Sequence, residues 1–232
     1  MSLIHSFDSL ESTNKTAKEM ALTGAGHGVV VTAETQTGGR GRGAHLFYCA
    51  GGGIYMSVIL QPEEPSQVTI RTAVSVCEAI ESVCGKSPGI KWVNDLFLDG
   101  KKICGILAET VTDGALQKVV VGIGVNFSIE NQSFPPELRD IAGSIFPNGT
   151  SIPREKLTEE IINRILTLCP WEDTLRAYRK RMLFLGEKIW VATPKGRYEA
   201  QILDIDGSGQ LLVKKDDGQT RSLLSGEVSV KR

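Results

Sequence analysis

With 232 residues, 41% of them hydrophobic, the chain is long enough to bury one sizeable core and a small second one. Its 26 Lys and Arg residues almost cancel its 27 Asp and Glu residues, so no overall positive field exists to hold nucleic acid or an anionic membrane, and any anion site must be local. Five cysteines without CxxC spacing, a start that lacks signal-peptide character and the lack of any apolar run of membrane-spanning length point to a reduced, cytoplasmic chain without a disulfide framework.

In chain order, Ile4 to Phe7 reads as a strand, and Ser12-Thr13-Asn14 then offers capping side chains to a helix through Ala17, Met20 and Ala21 that Gly24 stops. Gly28 to Gln36 is a valine-rich buried strand. After a segment with seven glycines between Gly38 and Gly53, Ile54 to Leu60 is apolar on both faces and belongs in mid-sheet. A helix from about Pro65 to Val83 shows a broad apolar face, and short strands follow near Ile90 to Val93, Lys101 to Thr110 and Gln117 to Asn126. Ser128 to Thr150 has no period and reads as a long loop. Two helices come next, one through Leu157, Ile161, Ile165 and Leu168, the other through Trp171, Leu175, Tyr178 and Met182. Leu185-Gly186 marks a boundary, dividing the chain into residues 1–184 and 185–232. Beyond it, five short strands between Lys188 and Val230, separated by Gly-containing turns, read as an SH3-like barrel.

Three clusters carry chemistry. The first is Thr37-Gly38-Gly39-Arg40-Gly41-Arg42-Gly43, where glycines allow close backbone approach and two arginines offer forked donors. No acid occurs between Glu34 and Glu63, which favours an anion-binding loop; a solvated Gly/Arg segment or an RNA-binding one is the alternative. The second is Lys91-Trp92-Val93-Asn94-Asp95-Leu96 followed by Lys101-Lys102-Ile103-Cys104-Gly105. The Asp99-Gly100 turn between them brings Lys102 back towards Asp95, although a plain basic surface hairpin has the same pattern. In the third, Gly122-Ile123-Gly124-Val125-Asn126, glycines inside a buried strand make room for a planar ligand or relieve crowding at a bulge. Neither a dinucleotide fingerprint nor a P-loop is complete, and the three histidines lack metal-ligand spacing.

In this order, the clusters resemble those of biotin–protein ligases: Ser12-Thr13-Asn14, Gln36 before Gly39-Arg40-Gly41-Arg42, Lys91-Trp92-Val93-Asn94-Asp95-Leu96, Lys102 with Gly105-Ile106-Leu107, Gly122 to Asn126, and the C-terminal strands ending in Gly226-Glu227-Val228-Ser229. The resemblance implies an α+β fold, a mixed β-sheet catalytic domain backed by helices with the small C-terminal barrel. It implies ATP and biotin as substrates, Mg²⁺, and a biotin carboxyl carrier protein as acceptor, with no nucleic-acid or membrane partner. Ser12, Thr13, Asn14 and Gln36 would line the biotin end, with Gly105 alongside. Arg40, Gly41 and Arg42 would close over the acyl-phosphate, Lys102 would reach both the biotin carboxylate and the α-phosphate, and Asn126 would border the nucleotide. Catalysis would fall to Lys102, Arg42 and Asp95, the last as orienter of Lys102, metal partner or base; the metal ligands stay unassigned. A carboxylate attacking an anionic phosphate needs such cations, because charge gathers on the phosphoryl oxygens in the transition state.

Two departures stand out. Gly43-Ala44-His45-Leu46-Phe47 puts alanine and phenylalanine where the family loop continues with glycine and tryptophan, so that Phe47 is left to cover an apolar ligand. The chain also starts at the catalytic domain, from which no DNA-binding segment is expected. The rival reading is a lipoate ligase or octanoyl transferase of the same fold, with Cys104 as an acyl-accepting thiol on the Lys102 face. Pairing of an exposed sheet edge in a homodimer stays open.

Overall fold

The computed structural model describes residues 3–41, 43, 46–49, 51–113, 116–167, 169–193, 196–224 and 227–230. In chain order the elements are β1 (Ile4–Leu10), α1 (Thr13–Leu22), β2 (Val30–Gln36), β3 (Ile54–Leu60), α2 (Val68–Cys84), β4 (Gly89–Lys91), β5 (Asp95–Leu98), β6 (Lys101–Asp113), β7 (Leu116–Val125), α3 (Arg154–Leu166), α4 (Trp171–Arg181), β8 (Lys188–Thr193), β9 (Gly196–Ile205), β10 (Leu211–Lys215), β11 (Thr220–Leu223) and β12 (Glu227–Val230). Seven strands form a mixed sheet in the order β1-β2-β3-β7-β6-β5-β4, parallel only between β1 and β2.

The sheet is covered on both faces, which is why β3 is buried at all seven positions. Met56, Val58 and Leu60 of β3 and Val119, Val121, Ile123 and Val125 of β7 pack with Val76, Ala79 and Ile80 of α2 and Leu157 and Ile161 of α3 in one core. The alternate residues Ile59 and Val120 join Val31, Val111, Ala17 and Ala21 in a smaller core under α1. Each fully buried large aliphatic contributes roughly 1.5–3 kcal/mol, so these two layers hold the sheet in place. Lys118, itself buried, donates from Nζ to Ala21 O at 2.7 Å and sets a cation at the C-terminal end of α1.

Local chemistry differs from the sequence reading at three points. Ser12 occupies the N-cap position of α1 but makes no side-chain cap bond, and the Thr13 N–H at the first helical position goes to Gln36 Oε1 of β2 at 2.7 Å. Asp95–Leu98 forms a separate strand, β5, that short length and mixed polarity conceal in the sequence. Thirdly, the β5–β6 register slips between Leu96 and Phe97, pairing Leu96 with Cys104 but Phe97 with Lys102. The slip shifts the face parity of β6. Cys104 points into the α2 core, and it is Gly105 that shares the Lys102 face, where an added Cβ would lie 3.4 Å from Lys102 Cε.

The stretch from Ser128 to Thr150 is a loop with short 3-10 turns at Asn131–Ser133 and Pro136–Leu138. It is pinned to the start of β6 by Lys102 N–H to Ile141 O (2.8 Å) and Gly143 N–H to Lys102 O (2.9 Å). The second sheet is antiparallel, in the order β11-β10-β9-β8-β12. Its five strands match the sequence reading, but β11 and β12 are its edges, so among the described residues the sheet is open and no barrel closure is recorded. The indole N–H groups of Trp92 and Trp171 donate to Gly209 O (3.1 Å) and Gly207 O (2.8 Å), and Arg179 pairs with Asp204 at 3.2 Å, tying this sheet to the first. Among the described residues no helix is long and apolar enough to cross a membrane.

Candidate active site

The face of the large sheet under α1 is organised in rows across β3, β7 and β6. Ile59, Val120 and Glu109 form the first row, Ser57, Gly122 and Leu107 the second, and Tyr55, Gly124 and Gly105 the third. Helix α1 covers the first row and ends over the second, where Asn14 lies so close to Gly122 that an added Cβ would come within 2.2 Å of Asn14 Oδ1. The third row has two glycines facing the same way, and the ring of Phe47 rests on them. A Cβ at Gly124 would meet Phe47 Cε1 at 2.6 Å, and one at Gly105 would meet its Cε2 at 3.2 Å. Phe47 also packs edge-on against Tyr55, with ring centroids 6.4 Å apart. The glycines thus form a shelf for a flat apolar group, not a bulge.

One end of the shelf is a cation. Lys102 Nζ lies 2.6 Å from Asp95 Oδ1, both side chains partly exposed, as the Asp99-Gly100 turn requires. The other end is a polar cluster. Thr13 Oγ1 lies 3.1 Å from Gln36 Oε1, and Gln36 Nε2 donates to Cys49 Sγ at 3.2 Å. Asn14 Nδ2 donates to Glu109 Oε2 (2.8 Å) and Leu107 O (3.3 Å), while Ser57 Oγ lies 2.6 Å from Asn14 Oδ1 and 2.8 Å from Thr13 Oγ1. Glu109 Oε1 accepts from Lys18 Nζ at 2.8 Å. Burial pushes the Glu109 carboxyl up, but the hydrogen bonds from Lys18 and Asn14 and the charges of Lys18 and Arg40 outweigh it, leaving Glu109 below its ordinary 4.5.

Asn126 borders the Lys102 end. Its Nδ2 donates to Gly143 O (2.9 Å) and Lys102 O (3.5 Å), yet Oδ1 is buried without a partner, the only such side-chain atom among the described residues. An acceptor buried without a partner is costly, and this one lies beside the backbone of Lys102. Arg40 is exposed in the loop after β2, bridged to Leu46, and Gly41 follows it; Arg42 lies outside the described residues, as do Ala44 and His45. Cys104 is fully buried and its thiol is raised well above the ordinary value by burial, so it is no candidate nucleophile. The structure therefore brings Ser12, Thr13, Asn14 and Gln36 to one end and Lys102, Asp95 and Asn126 to the other. Ser57 and Glu109 complete the polar end and escaped the sequence reading, because a lone serine in an apolar strand and a lone glutamate carry no local signal. Two other hollows, a groove of about 570 Å³ beside α2 and α3 that includes Arg71, Glu78 and Arg164 and an open depression of about 660 Å³ near Glu130 and Arg139, include neither Lys102 nor Thr13.

Hydrogen-bonding groups, an apolar shelf and a cation in line suit a ligand with a polar ring, an apolar middle and an anionic tail. Residues 6–126 match the model of the biotin/lipoate A/B protein ligase family, and residues 184–231 that of the biotin protein ligase C terminal domain. The chain is similar to the bifunctional ligase/repressor BirA of Bacillus spizizenii (35% identity over 96% of this chain and 72% of that protein) and to the biotin–[acetyl-CoA-carboxylase] ligase of Mycobacterium tuberculosis (32%, covering 94% and 85%). Among solved structures, biotin protein ligase from Aquifex aeolicus in complex with biotin and ATP matches over the full length of both chains at 27% identity and a TM-score of 0.85.

Proposed function

Because this chain belongs to the biotin/lipoate A/B protein ligase family, and is a ligase of its biotin–protein ligase branch, we propose that it joins biotin to ATP as biotinoyl-AMP on the α1 face of its large sheet and passes the biotinoyl group to a lysine of a biotin carboxyl carrier protein. The observation that carries this reading is the linear order of polar cluster, glycine shelf and Lys102 along one face. The ureido ring goes to Ser12, Thr13 and Gln36 with Asn14 beneath, the thiophane ring and valeryl chain take the shelf with Phe47 moved aside to cover them, and the carboxylate meets Lys102.

Lys102 then stands between two anions that must approach each other. Its ammonium screens the biotin carboxylate as it attacks the α-phosphorus and binds the phosphoryl oxygens on which charge accumulates, which is where a fixed cation lowers the barrier most. Asp95, 2.6 Å from Nζ, orients that ammonium. Arg40 and Arg42, on the glycine-flanked loop, supply forked donors to the acyl-phosphate, Gly41 lets the backbone close in, and Asn126 Oδ1 accepts from the nucleotide. Mg²⁺ would belong to this reading as the counter-ion of the triphosphate, and when bound would supply charge to offset that of the pyrophosphate. Among the described residues no three His, Cys, Asp or Glu side chains gather, which suits an ion held chiefly by phosphate oxygens and water.

Exchange of labelled pyrophosphate into ATP tests the reading. Stimulation by biotin, and biotinylation of an added carrier domain, support it; stimulation by lipoate or octanoate but not by biotin overturns it.

A further inference from the structure

We infer that Ser57, Asn14 and Glu109 fix the direction of the protons at the polar end of the site, so that Thr13 Oγ1 meets the ligand as an acceptor and selects a ring N–H there. The inference rests on the proposed biotin-binding reading and adds residues that do not themselves touch the ligand.

Glu109 anchors this chain of hydrogen bonds. Its carboxylate only accepts, it holds Lys18 on one oxygen, and its charge is maintained. The Asn14 amide must therefore turn its Nδ2 towards Glu109 Oε2 and Leu107 O, both acceptors, and both of its N–H groups are used there. Oδ1 is left facing Ser57, and an amide oxygen cannot donate, so the proton in the 2.6 Å contact belongs to the serine hydroxyl. Ser57, fully buried on β3, has spent its only proton. The 2.8 Å contact between Ser57 Oγ and Thr13 Oγ1 and the 3.1 Å contact between Thr13 Oγ1 and Gln36 Oε1 then leave two acceptors competing for the single Thr13 proton. Gln36 cannot reverse the order, because its Oε1 already takes the Thr13 backbone N–H and its Nε2 donates to Cys49. Whichever acceptor takes the Thr13 proton, it is a protein group, and what Thr13 Oγ1 shows the ligand is a lone pair.

A ureido ring supplies an N–H at that point, whereas a ring oxygen would meet the lone pair with another. A buried acceptor facing an acceptor is rejected far more strongly than a missing methylene. Ser57 and Glu109 are thus positioning residues that determine specificity. Gly122 belongs to the same device, since any side chain there would displace Asn14.

The experiment measures dissociation constants by calorimetry for biotin, for ATP and for the two cyclic carbamate analogues of biotin in which one ureido N–H is replaced by oxygen. Wild-type protein is expected to bind one of the two isomers about a hundredfold more weakly than biotin. In Ser57→Ala the Thr13 proton keeps only Gln36 Oε1, the more distant of its two acceptors at 3.1 Å, so it is held less firmly and turns to the ligand part of the time. Biotin should weaken about tenfold, that carbamate isomer by no more than about twofold, and ATP not at all. Glu109→Gln, at a partly exposed site where folding is not at stake, lets the Asn14 amide turn round and should narrow the same ratio. Unchanged ratios in both variants, with unfolding curves showing folded protein, overturn the inference while leaving biotin binding intact. A wild-type protein that binds no biotin overturns the functional reading and this inference together.

Discussion

Removing Lys102 costs more than the loss of one positive charge, because it strands the carboxylate of Asp95 2.6 Å from where the ammonium stood. A fixed donor to a developing oxyanion is worth about 3–4 kcal/mol, or 10² to 10³ in rate. With the ammonium gone, phosphoryl oxygens brought to the same place come within about 5 Å of Asp95, where two unit charges at an effective dielectric of about 20 repel by about 3 kcal/mol before screening. The Asp95 side chain is 22% exposed, which brings that figure down to about 1–2 kcal/mol. Lys102→Ala should therefore lower biotin-dependent pyrophosphate exchange by about 10³ to 10⁴, with much smaller changes in the Kd of biotin and of ATP. Adding Asp95→Asn to Lys102→Ala should restore about tenfold, although Asp95→Asn alone, which frees the ammonium to wander, lowers activity. A double variant slower than Lys102→Ala would refute the repulsion, and equal losses in binding and rate would refute the transition-state role.

Two further outcomes follow from the same face of the sheet. Gly124→Ala places a methyl 2.6 Å from Phe47 Cε1 and shallows the shelf, so stability should drop by about 1–3 kcal/mol in urea titrations and biotin should bind at least about tenfold more weakly with ATP unaffected; unaltered biotin affinity would mean that the shelf is not the ligand bed. The Glu109 carboxyl sits below its ordinary 4.5 in the folded protein, so its pairing with Lys18 and Asn14 contributes stability above that value and loses it only as the pH falls through the lower, folded one. The stability difference between wild type and Glu109→Gln, on the order of 1 kcal/mol for so exposed a pair, should hold constant from about pH 7 to about pH 5 and vanish in stronger acid; a difference already lost at about pH 5 would contradict the assigned direction.

The parts legible in the sequence are those written locally. Turn residues Asp99-Gly100 foretell the hairpin that brings Lys102 to Asp95, the helical spacing from Leu157 to Ile165 foretells α3, and glycines in an otherwise branched strand foretell the shelf. What stays hidden depends on partners far apart in the chain. Ser57 looks like one polar position in an apolar strand until Asn14 and Thr13, more than forty residues away, are laid over it. Glu109 gains its meaning from Asn14 and Lys18, over ninety residues distant. The register slip at Leu96/Phe97 is likewise invisible, since the strict alternation that puts Cys104 beside Lys102 is the default for any strand. Ser12 shows the same limit, since it holds the N-cap position without a cap bond while the first helical N–H is taken by a glutamine from the next strand.

The ring of Phe47 on its two glycines has a calorimetric consequence. The ring covers the half-buried glycines of the shelf, so a ligand that lifts the ring and takes its place exchanges, over that part, one apolar contact for another. Binding heat capacity follows the net apolar surface removed from water, not the surface that ends up in contact. Biotin should therefore bind with a less negative heat-capacity change than the area of its thiophane ring and valeryl chain implies. Phe47→Ala, which opens the shelf to water beforehand, should make that change more negative.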